Sequence, residues 1–141
     1  MKLQEGDSNS LKLSGGYFCV TLKGAAEPEK VKQLLNRWYR EKANKVYGEI
    51  YSRVVNTLGV MEPPRFQIKQ MKTRRGSLSK NRLITLNLSL IRTPVACIEY
   101  VIVHELCHIE NHNHSEAFYK LLSQRMSDWE KRKQTLEESL I

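Results

Sequence analysis

The stretch TPVACIEYVIVHELCHIENH, residues 93–112, limits the folds open to this chain. Thr93 suits an N-cap, and Pro94 suits the first helical position, where its missing N–H is harmless. The apolar residues that follow fit only a buried helix. Yet this helix carries His104, Glu105 and His108, and all four histidines of the chain (His104, His108, His112 and His114) fall within eleven residues.

The patch has a known chemistry. His104-Glu105-Leu106-Cys107-His108 is an H-E-x-x-H motif, and histidines at i and i+4 project from one helical face. Both imidazoles can then reach one Zn²⁺ at about 2.0–2.1 Å. Glu105, about 100° round the helix from His104, sits beside the ligands and is placed to take a proton from water. A catalytic site needs a third protein ligand. His112 in an unbroken helix would lie about 12 Å along the axis from His104, too far to share an ion comfortably. His114 is the better candidate. Asn111-His112-Asn113 suits a helix end, because Asn tolerates the left-handed conformation, and a chain reversed there brings His114 back. Asn113-x-x-Glu116 also reads as a capping box that would hold His114 in the next first turn. Two structural alternatives stand beside this: a core helix with satisfied histidines, and a closed structural zinc site. Cys107 points away from the His104/His108 face, which counts against the second.

The rest of the chain reads as one small domain. At 141 residues it can bury one core, and its 40% hydrophobic and 27% charged residues are globular values. Residues 11–23 read as two strands around Gly15-Gly16. A helix follows from Pro28 to about Leu58, with Val31, Leu34, Leu35, Trp38, Val46, Ile50, Val54 and Leu58 as its buried stripe and Gly59 as its end. Strands are expected at 65–71 and 82–88, separated by a polar turn at 74–80. Further helices are expected at 115–125 and from Trp129 onward. Residues 1–10 are open to disorder. The first thirteen residues resemble neither a signal nor a transit peptide, and no apolar run reaches the length of a membrane span. Three cysteines, odd in number and without metal-like spacing, suit free thiols in a reducing cytoplasm.

The net charge of +8 is local. Residues 65–92 carry Arg65, Lys69, Lys72, Arg74, Arg75, Lys80, Arg82 and Arg92 with no acid among them, and the remainder balances. Such a run is usually a solvated surface. Beside a metal it can also attract anions. Lys72, Arg74, Arg75 and Arg82 are the candidate substrate-binding bases, as a clamp for a triphosphate or a seat for nucleic acid. No P-loop is present, and no aromatic residue interleaves the bases between Phe66 and Tyr100, which counts against base stacking.

The run from Met71 to Phe118 resembles the YgjP-like metal-dependent hydrolases, zincin-fold proteins related in architecture to the SprT/Spartan metallopeptidases. Lys72, Thr73, Arg74, Gly76 and Ser77 match a K-T-R-W-G-S-C element, and Leu86-Asn87 match the end of a strand. Tyr100-Val101 with His104–His108 match Y-V-x-x-H-E-L-x-H, and Asn113-His114-Ser115 with Phe118 match N-H-S-x-x-F. Arg75 stands where the family has Trp, and Leu78 where it has Cys. The N-terminal part is shorter than the resemblance leads one to expect.

The resemblance implies His114 as third ligand and the strand at 82–88 as a wall of the cleft. That strand is either an edge able to pair with an extended peptide, or internal with Ile84, Leu86 and Leu88 on one face.

The resulting expectation is a single α+β, zincin-like domain over residues 1–141. Zn²⁺, with Ni²⁺ or Co²⁺ as possible substitutes, is held by His104, His108 and His114. Glu105 is general base, Arg74 stabilises developing negative charge, and Asn87 joins the bases as a substrate-binding candidate. The expected partner is a peptide or anionic substrate in the cytoplasm, with no membrane. The alternatives are a nucleoside triphosphate pyrophosphatase using the same metal, and a non-catalytic nucleic-acid-binding module with a structural metal.

Overall fold

Pro28 opens and Gly59 closes a 31-residue helix, α1 (Pro28–Leu58). At its end Gly59 is left-handed (φ 67°), Val60 N–H reaches back to Val55 O (3.1 Å) and Gly59 N–H to Asn56 O (3.3 Å). This is the reversal in which glycine satisfies the last carbonyls of a helix. The computed structural model describes residues 28–139 in full, and residues 2–6, 10–14 and 17–23 as backbone strands. It comprises two compact units, residues 1–42 and 43–141.

The first unit holds a three-stranded sheet in the order β1-β3-β2. β2 (Ser10–Ser14) and β3 (Tyr17–Lys23) run antiparallel, as the expected hairpin does. Gly15 and Gly16 lie outside the described residues. β1 (Lys2–Gly6) pairs in parallel with β3, so part of residues 1–10 belongs to a sheet.

The second unit carries the functional elements. The buried side of α1 here is Ala43, Tyr47, Ile50, Tyr51, Val54 and Val55, while Val46 and Leu58 are only half-buried. The two tyrosines were absent from the expected stripe. Their hydroxyls find backbone carbonyls, Tyr47 at Asn87 (2.9 Å) and Tyr51 at Pro64, which lets their rings enter the core. Burial pushes both phenols above their ordinary range.

A second sheet has the order β4-β6-β5. β4 (Arg65–Lys69) runs parallel to β6 (Leu83–Asn87), and β5 (Gly76–Leu78) pairs antiparallel with it. β6 is therefore internal, with Ile84 and Leu86 fully buried. β4 and β5 are the edges, and β5 lies in the segment expected to be a turn. The β5–β6 loop closes through Ser79 N–H to Leu83 O (3.0 Å) and Arg82 N–H to Ser79 O (3.1 Å).

A 3₁₀ helix (Leu88–Arg92) leads into α2 (Val95–Cys107), followed by α3 (Glu116–Arg125) and α4 (Trp129–Ser139). α2 packs against α3, α4, β5 and β6. Its start differs from expectation by one residue. Thr93 terminates the 3₁₀ helix, with both its N–H (3.0 Å) and its hydroxyl (2.8 Å) on Leu90 O, so Pro94 is left as the cap of α2.

Candidate metal centre

α2 ends at Cys107, five residues before the expected stop, and the way it ends positions the site. His108, Ile109 and Glu110 donate their N–H groups three residues back, to Glu105, Leu106 and Cys107 (3.1, 3.2 and 3.3 Å). These tightened turns satisfy the terminal carbonyls without a left-handed residue. Among described non-glycine residues only Arg82 has positive φ, so Asn111 and Asn113 are not the left-handed hinge expected of them. The next cap is also displaced: Ser115, not Asn113, accepts from Phe118 N–H (3.4 Å) at the start of α3. His114 therefore precedes that helix instead of lying in its first turn.

The reversal still returns His114 to α2. One ring nitrogen from each of His104, His108 and His114 lies within 4.8 Å of the others. His104 Nε2 and His114 Nε2 are 3.2 Å apart. Two ligands at about 2.0–2.1 Å in a tetrahedral site would be about 3.3 Å apart. On His108 and His104 the second ring nitrogen has a partner. His108 Nδ1 lies 3.0 Å from Asn111 O, a carbonyl that can only accept, so the proton sits there and Nε2 is free for a metal. His104 Nδ1 lies 3.4 Å from the Tyr100 hydroxyl. Beneath the triad, the fully buried Phe118 stacks on His108 (4.5 Å, 24°) and meets His104 and His114 edge-on at 4.9 and 5.0 Å. A three-imidazole cluster on an apolar floor suits a divalent ion.

The surroundings favour neutral imidazoles. Burial, then the neighbouring histidines and Lys133, hold His104 down at about 4, and burial also lowers His108. Neutral histidine is the metal-ligating form. Burial raises Glu105 to about 7, with Arg74 pulling the other way. Its side chain forms no ion pair among the described residues, although the residue is only 6% exposed.

β5 lies directly over this helix. A Cβ on Gly76 would come within 2.9 Å of Val101 Cγ1 and 3.3 Å of both Glu105 Cγ and Thr85 O. Only glycine permits that approach. The cleft beside Glu105 has a volume of about 340 Å³, with Arg74 and Gly76 on the β5 side and Lys133 and Glu137 on α4. A second, contiguous opening of about 410 Å³ contains the three histidines, His112 and β5.

The expected bases do not converge. Arg74 and Arg75 line the cleft, but exposed Lys72 does not. Arg82 occupies the left-handed position of the β5–β6 loop (φ 58°) and donates to Glu62 O, beside a different hollow. Asn87 is 1% exposed and supports the loop from below. Its Nδ2 donates to Met71 O (3.0 Å) and Arg74 O (2.7 Å), while its Oδ1 accepts from Ser89 N–H (3.0 Å). Gly76 and Phe118 stand in the matched motifs but were not singled out as site residues. Lys133 carries no sequence signal, because only the packing of α4 on α2 brings it to the cleft.

This arrangement has relatives. The chain resembles the crystal structure of the metallopeptidase zymogen jannalysin of Methanocaldococcus jannaschii, at TM-score 0.59 and 25% identity over 67% of this chain and 97% of that one. It also shares the fold of the metallopeptidase zymogen abylysin of Pyrococcus abyssi, at TM-score 0.56 and 22% identity over 65% of this chain and 90% of that one. No curated protein sequence matches it. No described helix is long and apolar enough to cross a membrane. The YgjP-like metallopeptidase-domain family matches residues 1–139, so the chain belongs to that family, with the mixed α+β fold of a metallopeptidase.

Proposed function

We propose that this protein is a zinc-dependent peptidase in which His104, His108 and His114 hold the metal and Glu105 is the general base. The observation that carries this reading is the convergence of three imidazoles within 4.8 Å, with Glu105 lining the same cleft. Zinc suits three nitrogen donors, and when bound it polarises a carbonyl and lowers the pKa of water.

The chain's own residues do the rest. Glu105 accepts the proton of the attacking water as it adds to the scissile carbonyl, then returns it to the departing amine nitrogen. Arg74, whose charge already acts on Glu105, lies on the side where negative charge develops. β5 supplies the seat for an extended peptide. Asn87 N–H bonds Arg75 O and Ser79 N–H bonds Leu83 O, so odd-numbered positions carry the ladder to β6. By the antiparallel alternation, the N–H and C=O of Gly76 and Leu78 face away from β6, toward any added strand.

The test is full-length protein loaded with zinc and given unstructured peptides beside nucleoside triphosphates. Peptide cleavage is expected, and Glu105→Gln should lower it about 10²–10⁴-fold while zinc stoichiometry and fold persist. His114→Ala should lose the metal. Pyrophosphate release without peptide cleavage would sink the peptidase reading.

A further inference from the structure

The cleft beside Glu105 contains unpaired charge. Elsewhere around α2 three guanidiniums are matched: Arg53 and Arg132 with Glu99, Arg132 also with Asp128, and Arg125 with Glu110. In the cleft, Arg74 and Arg75 from the loop before β5 and Lys133 from α4 form no ion pair with any described residue. Lys133 and Arg74 flank the reacting centre, Lys133 acting electrostatically on His104 and Arg74 on Glu105. The acids there are Glu105, committed to catalysis, and Glu137, exposed one helical turn from Lys133. Three cations against two carboxyl groups leave the cleft net positive. Arg75 also stands where the resembled family pattern has Trp, so one of the three charges is an addition to that pattern. A net-positive cleft at a scissile bond selects the opposite charge in its substrate.

We propose that the cleft between residues 73–76 and α4 is a carboxylate-binding subsite, with Lys133 as its specificity-determining residue and Arg74 and Arg75 as its opposite wall. The inference rests on the peptidase reading and specifies its substrate: a peptide presenting a carboxylate next to the cleaved bond. That carboxylate is either an Asp or Glu side chain or the peptide's own C-terminus.

The experiment uses zinc-loaded full-length protein and internally quenched peptides that differ only beside the scissile bond. One series carries Asp, Asn or Lys there; the other ends one or two residues after the bond as free acid or amide. Wild type should favour the carboxylate over its amide by about tenfold in kcat/KM, a difference of about 1.4 kcal/mol. The pair that shows the preference identifies the carboxylate's source. Lys133→Met should bring the ratio to within about twofold, and Lys133→Glu should turn the Asp/Lys preference toward Lys. Binding of the same labelled peptides to Glu105→Gln protein should show the same order without turnover. Equal rates for acid and amide in both series, or a preference that survives Lys133→Glu, would overturn the subsite while leaving the peptidase intact. Cleavage of no peptide at all would overturn both.

Discussion

Two glutamates on α2 divide the helix between structure and chemistry. Glu99 lies between Arg53 (3.4 Å) and Arg132 (3.6 Å), and Arg132 is held in turn by Asp128 (3.0 Å). Glu105, six residues and about 240° further round the helix, is more deeply buried and has no ionic partner among the described residues. The first ties α4 and the latter part of α1 to α2 through a shared pair of guanidiniums. The second opposes folding, because a carboxyl without a partner is desolvated there, and its pKa near 7 records that penalty. One helix thus carries a matched charge that serves assembly and an unmatched one available for reaction. Local strain of this kind persists only where the surroundings over-determine it.

The approach of β5 to Glu105 is one such surrounding. After Glu105→Gln, the largest effect is expected at Gly76. Gly76→Ala places a methyl 2.9 Å from Val101 Cγ1, a stiff branched side chain, and 3.3 Å from Glu105 Cγ and the Thr85 carbonyl. Either β5 lifts or Glu105 turns, and peptide cleavage should fall about 10–100-fold, as expected when a reacting group is displaced by a fraction of an ångström. Overpacking should also reduce stability by about 1–3 kcal/mol. Zinc stoichiometry should persist, because the histidines approach from α2 and the segment before α3. Wild-type turnover in Gly76→Ala would show that β5 does not set the position of the base.

Asn87 supports the same wall from the other end. Asn87→Ala removes the partner of two loop carbonyls and of Ser89 N–H at a position 1% exposed. A loss of about 2–3 kcal/mol in urea unfolding is expected. The accompanying loss of activity should be smaller than at Gly76, because Asn87 holds the backbone of Arg74 and not the base itself. A loss below about 0.5 kcal/mol would mean that water replaces the amide and that the loop supports itself.

How much of this was legible in sequence differs by residue. His104, Glu105 and His108 could be placed because one helical period fixes their relative directions, whatever the rest of the fold does. His114 was expected to return by a chain reversal, and it does come back to α2, but ahead of the next helix and by a different route. The left-handed asparagine and the capping box at Asn113 were unnecessary, because 3₁₀ hydrogen bonds closed α2 and Ser115 capped α3. β5 was read as turn because Arg-Gly-Ser has little strand propensity, and its pairing with Thr85 and Leu86 is a tertiary fact. The basic run could be counted but not aimed. Hydrogen bonds from Arg82 to Glu62 and from Asn87 to the loop separated residues that the sequence had grouped by charge and proximity.

Acid should separate the two sides of α2 again. His104 is held at about 4 against an ordinary 6.5, so between those values the unfolded chain binds a proton that the folded chain refuses. Stability from this group is complete above pH 6.5 and is lost as pH falls toward 4. In metal-free protein Glu105, held up at about 7, works in the opposite direction over the same window. The contribution of His104 should therefore emerge in Glu105→Gln protein, as a urea midpoint that falls from pH 6.5 to 4 by less than Asn87→Ala produces, because the ring borders an open cleft. His104→Asn, which cannot titrate, should flatten this part of the profile. An unchanged slope in His104→Asn would place the acid sensitivity elsewhere.

The smallest effect is expected where the charges are matched. Glu99→Gln leaves Arg53 and Arg132 without their shared carboxylate, but neither guanidinium is thereby buried alone. Arg53 is 57% exposed, and Arg132 keeps Asp128 and its hydrogen bond to Ala96 O (3.2 Å). Partly exposed pairs of this kind contribute about 0.2–1 kcal/mol, and added salt should erase much of the difference. Peptide cleavage should be unchanged, because Glu99 lines the hollow with Arg53 and Arg132 and not the cleft at Glu105. If Glu99→Gln lowered turnover as Glu105→Gln does, the two sides of α2 would be energetically coupled. The matched charges would then be fixing the helix in the register that aims Glu105, and not merely attaching its neighbours.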